Sequence, residues 1–142
     1  MIKMGFSANL RGLQAYLDNL DKLELVVMAT AANIEGDAKQ SIHQRSGQYK
    51  PSRRGSKVHW SSPPGTPPNT DTGNLANSIK HRRINRTTAE INVGAEYGIP
   101  LEIGWIAKDG SHVPARPFLA PAVKRHEKPF QAAIKAVLRG GG

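Results

Sequence analysis

Few side chains in this 142-residue chain have the types and spacing that chemistry needs. Asp71-Thr72-Gly73 matches the triplet with which two aspartates share a proton across a protease dimer. That triplet requires an apolar strand ahead of it. Here Pro68-Asn69-Thr70 precedes it and Asn74 follows, so a helix cap is the better account. His126-Glu127 opens the spacing of a zinc protease, but Phe130 occupies the position of the second ligand. His43, His59, His81, His112 and His126 show no paired spacing, which points to solvated or hydrogen-bonded rings rather than a metal cluster. Glu90, Glu96 and Glu102 are the carboxylates of the expected sheet region, and no pattern makes an acid–base pair of them. There is no Gly-x-Ser-x-Gly and no phosphate loop. The absence of cysteine excludes disulfides, Cys-based zinc sites and thiol catalysis. The expectation is a protein that is not an enzyme and uses neither a cofactor nor a metal.

Charge is the stronger signal. The formal net charge is +9 and the pI about 10.2, which suits an anionic partner. The cations fall in three blocks. Arg45, Lys50, Arg53, Arg54 and Lys57 stand without an acid between 45 and 60. Lys80, Arg82, Arg83 and Arg86 form the second block, and residues 121–142 the third. Tyr49 and Trp60 lie inside the first block, where they could stack on bases while the cations follow phosphates. No helix-turn-helix, zinc-finger or RNA-recognition signature accompanies them. Sequence-independent nucleic-acid binding is therefore the alternative reading, and a solvated face the bland one.

The elements that must position these residues read as one α+β domain over 1–142. Lys3 to Phe6 suits a short strand. Ser7 could cap a helix with Leu10, Leu13, Leu17 and Leu20 on one face. A second helical stretch carries Leu23, Val27, Ala31, Ile34, Ala38 and Ile42 along a stripe, with a possible break near Asn19–Asp21. Over residues 46–73, half of the 28 positions are Ser, Gly or Pro. Such a segment buries too little to offset its ordering entropy. We expect 46–70 to be an extended loop or arm, stiff at Pro63–Pro68. Asp71 or Thr72 then caps a short helix through Ile79. Thr88 to Gly94 alternates with Ala89, Ile91 and Val93 on one face, as a half-buried strand does, and 79–86 is its antiparallel partner. The last helix runs from about Pro121 to Leu138, with Pro129 expected to kink or break it. Residues 140–142 read as a flexible tail. Residues 1–6 lack a signal-peptide core and no run is long enough to span a bilayer, so use in a reducing compartment without secretion or membrane is expected.

Four short motifs in order carry a resemblance. An Ala-rich helix ends at Ala38-Lys39-Gln40-Ser41. Thr72-Gly73-Asn74-Leu75-Ala76-Asn77-Ser78-Ile79 follows a Pro-rich loop. Glu96-Tyr97-Gly98 and Leu101-Glu102-Ile103-Gly104 follow a strand. Last comes Pro114-Ala115-Arg116-Pro117-Phe118-Leu119-Ala120-Pro121-Ala122. Over residues 30–138 this resembles the small head–tail connector proteins of long-tailed bacteriophages, also called neck, head–tail joining or tail-completion proteins. The resemblance implies a structural virion protein, made in the host bacterial cytoplasm. Six copies, or twelve, would form a ring around the DNA channel. Its neighbours would be a head-closure or connector ring and the tail tube or tail terminator, with duplex DNA passing without sequence-specific contact. Thr72, Gly73, Leu75, Ile79, Glu102, Gly104, Arg116, Pro117, Phe118 and Leu119 would be its structural residues. Within them, Glu102 is a candidate bidentate partner for Arg116. Arg53, Arg54, Lys57, Trp60, Arg82, Arg83 and Arg86 are the candidate contacts, expected to reach an adjoining ring rather than the channel wall.

Overall fold

The computed structural model describes residues 2–7 and 19–140. The expected helix around Leu10, Leu13 and Leu17 lies outside the described residues, and Ser7 is the last residue of a strand. In chain order the elements are β1 (Ile2–Ser7), α1 (Leu20–His43), β2 (Pro51–Arg54), β3 (Lys57–Trp60), α2 (Asn74–Ser78), β4 (Ile79–Asn85), β5 (Thr88–Val93), α3 (Gly98–Ile103), β6 (Trp105–Ile106), β7 (His112–Val113) and α4 (Ala120–Leu138). The fold is α+β. β5 is the central strand of an antiparallel sheet ordered β1-β5-β4, and β2-β3 and β6-β7 are separate two-stranded hairpins.

The alternation of β5 explains its central place. Ala89, Ile91 and Val93 are fully buried, because successive side chains of a strand point to opposite faces. They meet the α1 stripe, in which all six expected residues, from Leu23 to Ile42, are buried. That spacing follows the helical period and gives one continuous apolar face. α1 begins after Asn19, whose φ of −118° and ψ of 14° are not helical. Phe118, Leu119 and Ala122 complete the main core. A smaller cluster joins Leu23, near the start of α1, to Ile134 and Val137, near the end of α4. Asp37, late in α1, meets His126, early in α4. The two helices therefore run antiparallel. Pro129 lies within α4 without ending it.

β4 buries only Ile79, and ion pairs hold the rest of it. Arg82 Nε lies 2.6 Å from Glu90 across the strand pair. Arg83 Nε reaches Glu24 at 2.6 Å, Arg86 Nε reaches Glu24 at 2.9 Å, and Arg86 also pairs with Asp21. These two arginines hold the Glu24 carboxyl below the usual carboxylate range through their hydrogen bonds, and Glu24 raises the Arg86 guanidinium in return. Glu35 accepts the backbone N–H of His81 at 2.7 Å and meets its Nδ1 at 2.5 Å. Lys39 Nζ donates to it at 2.6 Å. Burial opposes ionisation of Glu35, but the bonds from Lys39 and His81 outweigh it and bring its pKa down to about 2. Asp21, Glu24 and Glu35 thus form an acidic edge of α1 that seats the basic strand. The exposed pairs are screened by solvent, so they mainly fix register rather than add stability.

The Ser/Gly/Pro-rich segment contains regular structure. β2 and β3 pair from Pro51↔Trp60 to Arg54↔Lys57 around the two-residue turn Gly55-Ser56. Gly55 has φ 62°, a left-handed value that hairpin turns of this length require and glycine adopts freely. Asn69 latches the base of the hairpin. Its Oδ1 accepts from Ser46 N–H at 3.0 Å, and its Nδ2 donates to Gly47 O at 2.6 Å and to Trp60 O at 2.9 Å. The proline run does not continue straight. It turns at Pro63–Thr66, where Thr66 N–H and Oγ1 both donate to Pro63 O, and Gly65 takes φ 80°.

Candidate functional site

The residues of the four motifs meet at one junction beneath a groove. Leu75, Ile79, Phe118 and Leu119 are in the main core. Thr72 stands one residue before the N-cap of α2, and its Oγ1 accepts from Asn74 N–H at 3.4 Å. The N-cap itself is Gly73, with φ 82°. Gly104 is the tightest position. A Cβ there would sit 2.7 Å from Val113 O and 3.0 Å from Ala115 N, at φ 80°. The β6-β7 hairpin can close onto α3 because this position carries no side chain. Pro117 is half-buried between Arg116 and Phe118.

Glu102 is not the partner of Arg116. It reaches the start of α4, where its Oε2 accepts from the N–H groups of Phe118 at 2.9 Å and Leu119 at 3.1 Å. Its Oε1 accepts from Ala120 at 2.8 Å. The physical reason is that the first N–H groups of a helix have no partner within it. α4 starts at Leu119-Ala120-Pro121 with no side chain of its own to cap it. A carboxylate from α3 fills that need and also complements the helix dipole.

Arg116 does something else. It is 8% exposed. Its Nε donates to Ser62 O at 2.8 Å, and its backbone N–H to Leu101 O at 2.7 Å. Ser62 is itself fully buried, and Gly65 N–H donates to Ala115 O at 2.9 Å. The end of the Pro-rich segment is thereby fastened across the junction. Above it opens a groove of about 620 Å³, lined among others by Leu75, Leu101, Tyr97, Trp105, Pro68 and Arg116.

The basic candidates separate into two groups. Arg82, Arg83 and Arg86 are committed to carboxylates of the same chain. Arg53, Lys57 and Trp60 lie on the β2-β3 hairpin, together with Arg54, and the first three side chains are exposed. Among the described residues no carboxylate pairs with Arg45, Lys50, Arg53 or Lys57; Lys50 Nζ sits 5.3 Å from the centre of the Tyr49 ring. Exposed apolar side chains are also concentrated. Tyr97, Ile99, Ile103, Trp105 and Ile106 fall within ten residues, with Ile103 and Ile106 at 70% and 71% exposure, and Tyr49, Val58 and Trp60 stand on the hairpin arm. Three histidines face carboxylates: His81 Glu35, His126 Asp37 at 2.6 Å, and His59 Asp71 at 3.9 Å.

Sequence reasoning missed the Asn69 latch, the role of Glu102 and the apolar lip at 99–106. The uncapped start of α4 was the available signal for Glu102. Compared with protein-family models, curated proteins and solved structures, the chain matches none. Among the described residues no helix is long and apolar enough to cross a membrane.

Proposed function

We propose that the chain is a structural subunit that assembles into a ring at the neck or tail top of a long-tailed bacteriophage, joining head to tail around the DNA channel. The observation that carries this reading is the exposed apolar lip Ile99, Ile103, Trp105 and Ile106. It stands directly on the junction where the connector-like motifs meet. Ile99 and Ile103 lie four apart, on one face of α3. Clustered apolar side chains of this size on a small domain mark a contact surface. A ring uses a head-to-tail contact repeated until it closes, and the lip supplies one side of such a contact.

In this reading the unpaired cations of the hairpin arm face the adjoining ring, where complementary charge sets register. Arg53, Lys57 and Trp60 carry that role, because Arg82, Arg83 and Arg86 already have carboxylate partners. Sedimentation of the purified chain against the double variant Ile103→Asp/Ile106→Asp tests the proposal. Both positions are mostly exposed, so the variant should fold as a monomer while the wild type forms closed oligomers. Equal sedimentation of the two as monomers, at concentrations well above those of an infected cell, would remove the lip as a subunit contact.

A further inference from the structure

The ring proposal does not use Arg116, and its surroundings carry a separate argument. A guanidinium has five N–H donors and no acceptor. In Arg116 one of them, on Nε, is spent on Ser62 O. No carboxylate pairs with it among the described residues, and no further acceptor of its side chain is found there. The one side-chain polar atom that is sealed from solvent without a partner, again among the described residues, is Asn92 Oδ1. The Nη donors of Arg116 are therefore not sealed in the core. Arg116 lines the groove. A cation that is nine-tenths buried is a costly arrangement unless an anion completes it.

The wall around this cation is apolar. Leu75, Leu101, Pro100 and Ile42 line the groove, and Tyr97 and Trp105 stand at it with exposed surface. Asp71 lines it as well, at an exposed position beside His59. A volume of about 620 Å³ lies within the range of specific binding clefts. We infer that this groove is the docking site for a segment of another polypeptide in which one aspartate or glutamate is flanked by apolar side chains, the carboxylate pairing with the Nη donors of Arg116.

Three features select this occupant. A planar guanidinium offers two parallel donors that match a carboxylate. One recessed cation in an apolar wall does not suit a nucleic-acid backbone, which needs a row of exposed cations. The chain's net charge of +9 attracts an acidic partner at long range. The groove residues Tyr97, Leu101 and Arg116 are distinct from the lip residues Ile103 and Ile106, so this site and the ring contact fail separately.

The test is a display library of random peptides selected on the intact protein. Enriched peptides should carry an acidic residue between apolar ones. An enriched peptide, made synthetically with a fluorophore, should bind at least about tenfold more tightly than its Gln or Asn analogue, a difference of about 1.4 kcal/mol. Arg116→Gln should abolish that preference. Because Arg116 also holds Ser62, Tyr97→Ala serves as the second variant. Tyr97 is 46% exposed, and its loss should weaken the peptide without unfolding the domain. Any of four results overturns the inference: no enrichment, enriched peptides without an acid, equal binding of acid and amide, or binding indifferent to both variants. Self-association of the wild type that Arg116→Gln abolishes would place a second copy in the groove and also overturn it.

Discussion

Replacing Glu102 by Ala removes one side chain and leaves three backbone donors at the start of α4. Phe118 and Leu119 are fully buried, so their N–H groups cannot turn to water, whereas Ala120 is exposed and can. A hydrogen bond to a charged group contributes about 1.5–3 kcal/mol, and a buried donor left unmade costs about as much. Two such donors, with the third recovered by solvent, put the loss at about 3–5 kcal/mol, to which the lost dipole interaction adds about 0.3–1 kcal/mol. Glu102→Gln keeps one carbonyl oxygen for Phe118 and Leu119 and turns an NH₂ towards Ala120, so about half of that loss is expected. Urea unfolding followed by far-UV circular dichroism measures both. A Glu102→Ala variant within about 1 kcal/mol of the wild type, the range of an ordinary surface change, would refute the capping role.

Gly104→Ala should destabilise by about 2–4 kcal/mol, because its φ is left-handed and its Cβ would meet the Val113 carbonyl; thermal unfolding checks this. Asn69→Ala should speed amide hydrogen exchange over 46–60 while leaving α1 and β5 unchanged, since the latch holds the hairpin base and not the core. Glu35 ionises more readily in the folded chain than a carboxyl at its ordinary value of 4.5. Its contribution to stability is therefore complete above about pH 4.5 and is lost as pH falls towards about 2, by at most about 3 kcal/mol. Glu35→Gln should remove that part of the acid dependence in unfolding curves measured across this pH window.

What could be read from the sequence was what depends on period. The α1 stripe and the β5 alternation each show one apolar face, and each proved buried. The charged pattern of β4 was visible, but its purpose was not. Arg83 and, just past the strand, Arg86 find Glu24 and Asp21 across some sixty residues of sequence, a distance that no local pattern spans. The β2-β3 hairpin was hidden by composition. Ser, Gly and Pro obscured the two-residue Gly55-Ser56 turn between short strands. Arg116 and Glu102 looked like a pair because opposite charges attract. In the fold, the free N–H groups of α4 compete for the carboxylate and win it, and Arg116 donates to Ser62 O instead and lines the groove. The lip was masked by helical and strand apolar residues that look alike until burial is known.

The central claim is that copies of this chain close into a ring. Native mass spectrometry of the purified protein tests it most directly, because the 15.4 kDa subunit makes each added copy a resolved step. The account predicts one dominant closed species of six or twelve copies, lost in Ile103→Asp/Ile106→Asp. A wild-type chain that stays monomeric at every concentration, or that forms an open ladder of all sizes with no preferred number, would contradict it.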